Sequence, residues 1–89
     1  MGALEKIKIK KLKETIIQDS DKDIRTVITQ YEQFYDGKSL YKVFAITKHD
    51  GELVNVVQSC ITDNRIISDC YFSEFESTYP GSSITRKVF

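Results

Sequence analysis

The second half of the chain contains apolar and β-branched segments that are separated by turn signals, a pattern that predicts β-strands. Asp50-Gly51 lies between two of these segments and is a strong signal for a two-residue hairpin turn. Residues 40–89 are therefore expected to form a four-stranded antiparallel meander. Its strands are predicted over Leu40–Lys48, Glu52–Ile61, Ile66–Tyr79 and Ser82–Phe89.

A helical spacing precedes these strands, over residues 21–36. Apolar residues recur there at intervals of three and four, which predicts an amphipathic helix. Ser20 or Asp21 is suited to cap its start, and Gly37 suits the left-handed position after its end. The β-branched run Thr26–Thr29 lowers the local helix propensity, so packing has to stabilise this helix. Its predicted buried stripe consists of Ile24, Val27, Ile28, Tyr31, Phe34 and Tyr35.

The N-terminal segment allows more than one interpretation. Residues 5–10 alternate between isoleucine and charged residues, which predicts a short edge strand with its lysines in water. Ile9, Leu12 and Ile16 also fit a helical stripe, so a helical start is an alternative to the strand. The preferred interpretation is a strand to about Lys10, followed by a helical turn or two over residues 11–18. An extended arm formed by residues 1–10 is a further alternative.

These elements predict a single α+β domain over residues 1–89, with one main helix packed on a four-stranded antiparallel sheet. The order β-α-β-β-β-β is similar to the cystatin-like architecture. The inhibitory hairpin of cystatins has the motif Gln-x-Val-x-Gly, whereas this chain has the sequence Lys-His-Asp-Gly-Glu over residues 48–52. The tryptophan of the second inhibitory loop is also absent, because the chain contains no tryptophan. The resemblance therefore implies a fold and no inhibition of cysteine proteases.

Two-residue loops between the predicted strands determine which side chains share a face of the sheet. One face carries Leu40, Phe44 and Ile46, and it is expected to be the core that packs against the helix. The other face is more apolar than a solvated sheet face should be. We therefore expect the N-terminal segment, a second copy or a partner protein to cover it. The residues predicted to bind this partner are Tyr41, Val43, Val56, Tyr71, Phe75 and Tyr79.

The charges are balanced overall and uneven along the chain. There are 13 basic and 13 acidic residues, which give a formal net charge of zero. A cluster of lysines near the N-terminus is able to neutralise phosphates, so nucleic-acid binding is the alternative function. No aromatic residue interleaves with the cluster, which ranks this alternative below protein binding. The acidic residues within 63–76 raise the further hypothesis of nucleic-acid mimicry. The lysines of the cluster are Lys6, Lys8, Lys10, Lys11 and Lys13.

No catalytic or metal-binding motif emerges from the chain. His49 is the only histidine, and Cys60 and Cys70 lie ten residues apart without a CxxC spacing. The acidic repeat over residues 19–23 lacks the glycine and the distal acid of a calcium loop. We therefore expect no metal, no cofactor and no enzymatic activity. With no long apolar run and no secretory signal, the sequence predicts a small cytoplasmic adaptor or inhibitor that binds a partner protein or forms a homodimer.

Overall fold

The computed structural model describes residues 7–79 and 81–89, which form a five-stranded antiparallel sheet with a helix on one of its faces. The strand order across the sheet is β4-β3-β2-β1-β5. The predicted α+β class is confirmed, but the cystatin-like order is not, because the helix follows the fourth strand. The elements are β1 (Lys8–Asp19), β2 (Ile24–Tyr35), β3 (Lys38–His49), β4 (Glu52–Thr62), α1 (Arg65–Thr78) and β5 (Ser83–Val88).

The helix predicted over residues 21–36 is wrong, since this segment forms strand β2. Its β-branched run Thr26–Thr29 favours a pleated strand, in which such side chains pack well. Asp36 and Gly37 do not end a helix but form a tight turn to β3, with φ angles of 52° and 72°. Positive φ at both central residues is what a two-residue type I′ hairpin requires.

The strand predicted over Ile66–Tyr79 is also wrong, because this segment forms helix α1. The Asn64 side chain accepts hydrogen bonds from the backbone N–H groups of Ile66 and Ile67, at 2.9 and 3.1 Å, and so caps the helix. Phe72, Phe75 and Tyr79 then point toward the sheet. Among the described residues, no helix is both long enough and apolar enough to cross a membrane.

The strands predicted near residues 40–48, 52–61 and 82–89 are confirmed. Residues 8–10 of the short strand predicted over residues 5–10 belong to β1, which continues to Asp19, so the helical turns predicted over residues 11–18 are wrong. Residues 1–6, including the start of the proposed arm, lie outside the described residues.

The core lies between α1 and one face of the sheet. Ile17, Ile28, Val43 and Ala45 of the sheet are buried against Phe72 of the helix. This reverses the predicted faces: Val43 and Ala45 belong to the core, whereas Phe44 and Ile46 point away from the helix. The face that carries Val43 and Ala45 is covered, but by helix α1 and not by the N-terminal segment, second copy or partner that the sequence predicted.

Pairing between β3 and β4 begins in the predicted register and then departs from it. His49 pairs with Glu52, as a two-residue loop requires. The register then shifts twice, leaving Val54 and Ser59 of β4 without an opposite residue. These two β-bulges decide which residues of β4 face the helix, because each extra residue interrupts the alternation of faces.

Polar side chains at the centre of the interface attach α1 to the sheet. The fully buried Gln30 of β2 donates to Ser68 Oγ at 2.8 Å and to Asp69 Oδ1 at 2.9 Å. Lys13 Nζ lies 3.0 Å from the same Asp69 oxygen. A polar group inside an interface is costly unless it is paired, so these contacts favour one position of the helix over others.

A second attachment joins the C-terminal half of α1 to strands β1 and β5. Arg86 Nη2 donates to Glu76 Oε1 at 3.0 Å, and Thr15 Oγ1 donates to Glu76 Oε2 at 2.5 Å. The hydrogen bonds from Arg86 lower the pKa of Glu76, with partial burial opposing them and Thr15 adding to them. Partial burial opposes a low pKa at Asp69 as well, but hydrogen bonds from Gln30 and Lys13 outweigh it, so its pKa is also lowered.

Replacing Phe72 tests whether the packing of α1 stabilises the sheet. Phe72 is 5% exposed and Ile66, on the outer side of the same helix, is 74% exposed. We expect Phe72→Ala to reduce the free energy of unfolding by about 3 kcal/mol, because it leaves a cavity in the core. Ile66→Ala, the matched control, should change it by less than about 0.5 kcal/mol. Urea denaturation of both variants measures these changes. Equal losses of unfolding free energy would contradict the placement of Phe72 in the core.

Acidification tests the attachment through Glu76. Because its pKa is lowered in the folded state, its ionised form stabilises the fold at neutral pH, and this stabilisation is lost as the pH falls below the ordinary value of 4.5. The free energy of unfolding should therefore fall between about pH 7 and about pH 3. The fall should be smaller in Glu76→Gln, as measured by urea denaturation at each pH. If Glu76→Gln lost as much unfolding free energy on acidification as the wild type, the Glu76 carboxylate would contribute nothing to this pH dependence.

Candidate functional site

The sheet face opposite α1 is the candidate functional site, and we call it the open face. None of the described elements packs on it. Strand pairing places Val27 beside Ile46 and Tyr31 beside Lys42 at its centre. The open face is therefore formed mainly by side chains of the two neighbouring strands β2 and β3, with β1 and β4 on either side.

Apolar side chains occupy the middle of the open face. Ile46 and Val56 face each other across β3 and β4, and both are exposed. Tyr31 and Phe44 meet edge to face, with ring centroids 6.2 Å apart. A solvated face of an antiparallel sheet is normally polar, so this composition is typical of a surface that binds a partner. Its aliphatic members are Ile9, Ile16, Val27, Leu40, Ile46, Leu53, Val56 and Ile61.

Depressions on the open face lie beside these apolar side chains. One, of about 230 Å³, is lined by Ile9, Tyr31, Gln33, Lys42 and Phe44. A second has a volume of about 260 Å³ and is lined by Arg25, Val27, Ile46 and Lys48. Each depression thus combines an apolar floor with at least one basic side chain, which suits apolar groups that have an acidic neighbour.

Basic residues lie among and around the apolar side chains of the open face. The strand register places six basic residues on it and one acidic residue, Glu14, which pairs with Lys11 at 3.4 Å. The face therefore carries five more positive than negative charges, although the whole chain is neutral. The basic residues are Lys11, Arg25, Lys38, Lys42, Lys48 and Lys87.

The opposite side of the sheet is nearly neutral. Helix α1 carries Asp69, Glu74 and Glu76 with one basic residue, Arg65. The strands add further residues of both signs on the same side, and these are Lys8, Lys10, Lys13, Arg86, Asp19, Glu32 and Glu52. The excess of positive charge therefore lies on the open face, and an approaching acidic molecule is attracted to that face.

The six residues predicted to bind a partner do not share one surface. Val43 is fully buried under α1, and Phe75 and Tyr79 pack against the core with ring centroids 5.3 Å apart. Tyr41 is half-buried on the helix side, under the guanidinium of Arg65. Only two of the six are exposed, and they are Val56 and Tyr71.

The N-terminal lysines do not form one surface either. Strand alternation places Lys8, Lys10 and Lys13 on the helix side and Lys11 on the open face. Lys13 is engaged by Asp69 and lies 4.9 Å from the centroid of the Phe72 ring. Lys6 lies outside the described residues.

Residues of the open face were missed because their segments were assigned other roles. Val27 and Tyr31 belonged to the predicted helix stripe, and Phe44 and Ile46 to the predicted core. A signal was present at Asp36-Gly37, since it repeats the turn dipeptide found at Asp50-Gly51. Interpreted as a hairpin, it would have placed Tyr31 and Lys42 side by side.

The remaining chemistry-bearing residues stand apart from one another. His49 Nε2 lies 3.8 Å from Asp50 in an exposed turn. Cys60 and Cys70 are both free thiols, and burial raises the pKa of Cys60. No group of three or more histidine, cysteine, aspartate or glutamate side chains able to hold a metal ion occurs within residues 7–79 and 81–89.

Comparison of the chain with protein-family models, with curated proteins and with solved structures finds no match.

Proposed function

We propose that this protein is a small non-enzymatic binding module whose open face holds an acidic, partly apolar surface of a partner protein. The observation that supports the proposal is an uncovered sheet face on which apolar side chains lie among basic ones. Protein interfaces commonly combine apolar contacts with polar and charged groups in this way. The role is that of an adaptor or inhibitor in the cytoplasm, where the free thiols Cys60 and Cys70 would stay reduced.

The composition of the open face favours protein over nucleic acid as its ligand. Eight aliphatic side chains lie on it, compared with the aromatic residues Tyr31, Tyr35 and Phe44. Aliphatic groups gain free energy by burial against other apolar groups, whereas bases bind best by stacking on aromatic rings.

The charge on the open face selects among protein partners. Two copies placed open face to open face would bring together surfaces that each carry five excess positive charges. Like charges facing each other across an interface cost several kcal/mol, on the order of the binding energy of a weak complex. An acidic partner gains free energy from the same charges and is steered to them.

Reversal of charge on β3 tests the proposal. Lys42→Glu combined with Lys48→Glu places two acidic groups on the open face beside the apolar centre. A protein that the wild type captures from a nuclease-treated lysate should not be captured by this double variant. With that partner purified, affinity should fall at least about tenfold, which is about 1.4 kcal/mol. It should also weaken for the wild type as salt is raised.

The matched control is Lys8→Glu combined with Lys10→Glu. It makes the same change in net charge on the helix side of the sheet. This variant should bind like the wild type. The proposal would be overturned if the β3 variant bound the partner as tightly as the wild type does. It would also be overturned if both variants lost the same affinity, because binding would then not require the open face.

A second candidate is single-stranded nucleic acid bound on the same face. The edge-to-face pair of Tyr31 and Phe44, with Lys11 and Lys42 as neighbours, favours it. Aromatic rings on a sheet within reach of cations are the arrangement that such ligands use.

A labelled oligothymidylate tests this second candidate directly. Binding should weaken steeply between about 50 and about 200 mM salt, because bound phosphates release counterions. Phe44→Ala should reduce affinity about tenfold or more. Phe34→Ala is the control, since Phe34 points to the helix side. Absence of binding in fluorescence anisotropy at the lower salt would dismiss nucleic acid as the ligand.

A further inference from the structure

The outer edge of strand β4 is long and has no strand beside it among the described residues. Residues 53–62 contain no charged residue, no proline and no glycine. An edge strand of this kind exposes a row of unpaired N–H and C=O groups to other chains. Proteins usually protect such an edge with lysine, proline or a cover, and the two bulges at Val54 and Ser59 are the only such device on β4.

The opposite side of the sheet is protected differently. Strand β5 carries Arg86 and Lys87 in its middle, and the part of β1 that extends beyond β5 carries Lys8, Lys10 and Lys11. The sheet thus has several basic residues at one edge, whereas the other edge has only Glu52, at the start of β4. This asymmetry is expected if the β4 edge is paired in the working form of the protein.

Apolar side chains flank the β4 edge on both sides of the sheet. Leu53, Val56 and Ile61 are 59%, 54% and 48% exposed on the open face. Ile67 and Tyr71 of α1 line a depression of about 270 Å³ beside Cys60 and Thr62 of β4, on the helix side. An added strand would therefore bury apolar surface above and below the edge as well as satisfy its backbone groups.

We propose that β4 pairs antiparallel with β4 of a second copy, forming a homodimer with one continuous ten-stranded sheet. A second copy fits because residues 53–62 of the two pairing strands carry no charge, so no like charges face each other along this stretch. Antiparallel pairing of identical strands is also self-complementary, as a two-fold interface requires. The pairing is independent of what the open face binds.

The geometry of β4 indicates where the two-fold axis lies. The bulges at Val54 and Ser59 leave Asn55–Gln58 as the regular stretch between them, close to the middle of the strand. An axis through this stretch places the Val56 side chains of both copies near each other. Because such an axis runs perpendicular to the sheet, both open faces lie on the same side of the dimer and form one doubled surface.

Val56→Lys tests the pairing, because it introduces a charge next to the axis without disturbing a buried residue. Wild type at about 100 μM, a concentration at which weak dimers persist, should sediment with twice the monomer mass of 10.3 kDa. The variant should sediment at the monomer mass, with a dissociation constant raised at least tenfold. Ile9→Lys is the matched control, since it puts the same charge on the same face far from β4, and it should remain dimeric.

Two further measurements keep the test independent of one variant. In the wild type, backbone amides of β4 should exchange with deuterium more slowly as protein concentration rises. Dimerisation should persist as salt is raised, since residues 53–62 carry no charge. A monomeric wild type, a dimer retained by Val56→Lys, or a dimer dissolved by salt would each overturn the proposal.

Discussion

One helix has to supply the cover for the whole sheet, and this constraint shapes the rest of the molecule. A helix of 14 residues is about 21 Å long and about 10 Å wide, whereas five strands span roughly 24 Å and a 12-residue strand runs for about 40 Å. Helix α1 therefore covers one face in part and cannot reach the other. The open face and the unpaired edge of β4 are both left uncovered because the helix is smaller than the sheet.

The position of α1 depends on polar contacts as much as on apolar packing. Gln30 lies at the centre of the buried face and is bonded to Ser68 and Asp69, while its Oε1 is buried with no hydrogen-bond partner among the described residues. Such an arrangement costs stability compared with an apolar core, but it distinguishes one helix position from its neighbours. Because α1 is held there, its acidic residues stay on the side away from the basic open face.

The α+β class, the Asp50-Gly51 hairpin and three of the strands could be predicted from the sequence, because turn signals and runs of β-branched and apolar residues are local properties. The identities of β2 and α1 could not. Residues 24–35 satisfy both the helical period and strand alternation, and the segment that forms α1 is similarly ambiguous, so long-range packing decides between them. The candidate site was missed for a related reason. Strands β3 and β4 have two apolar faces, and alternation alone does not tell which of them a helix will select.

The pairing of β5 with β1 has a consequence for the order of folding. Strands β1 to β4 are joined in sequence by short turns, so their contacts close small loops and can form rapidly. Lys13 and Val88, in contrast, are 75 positions apart, from 88 − 13, and must find each other across the whole chain. The meander of strands β1 to β4 is therefore expected to form before α1 and β5 pack against it. During that interval Ile28 and Val43 are exposed, and the nascent sheet presents two apolar faces to other chains.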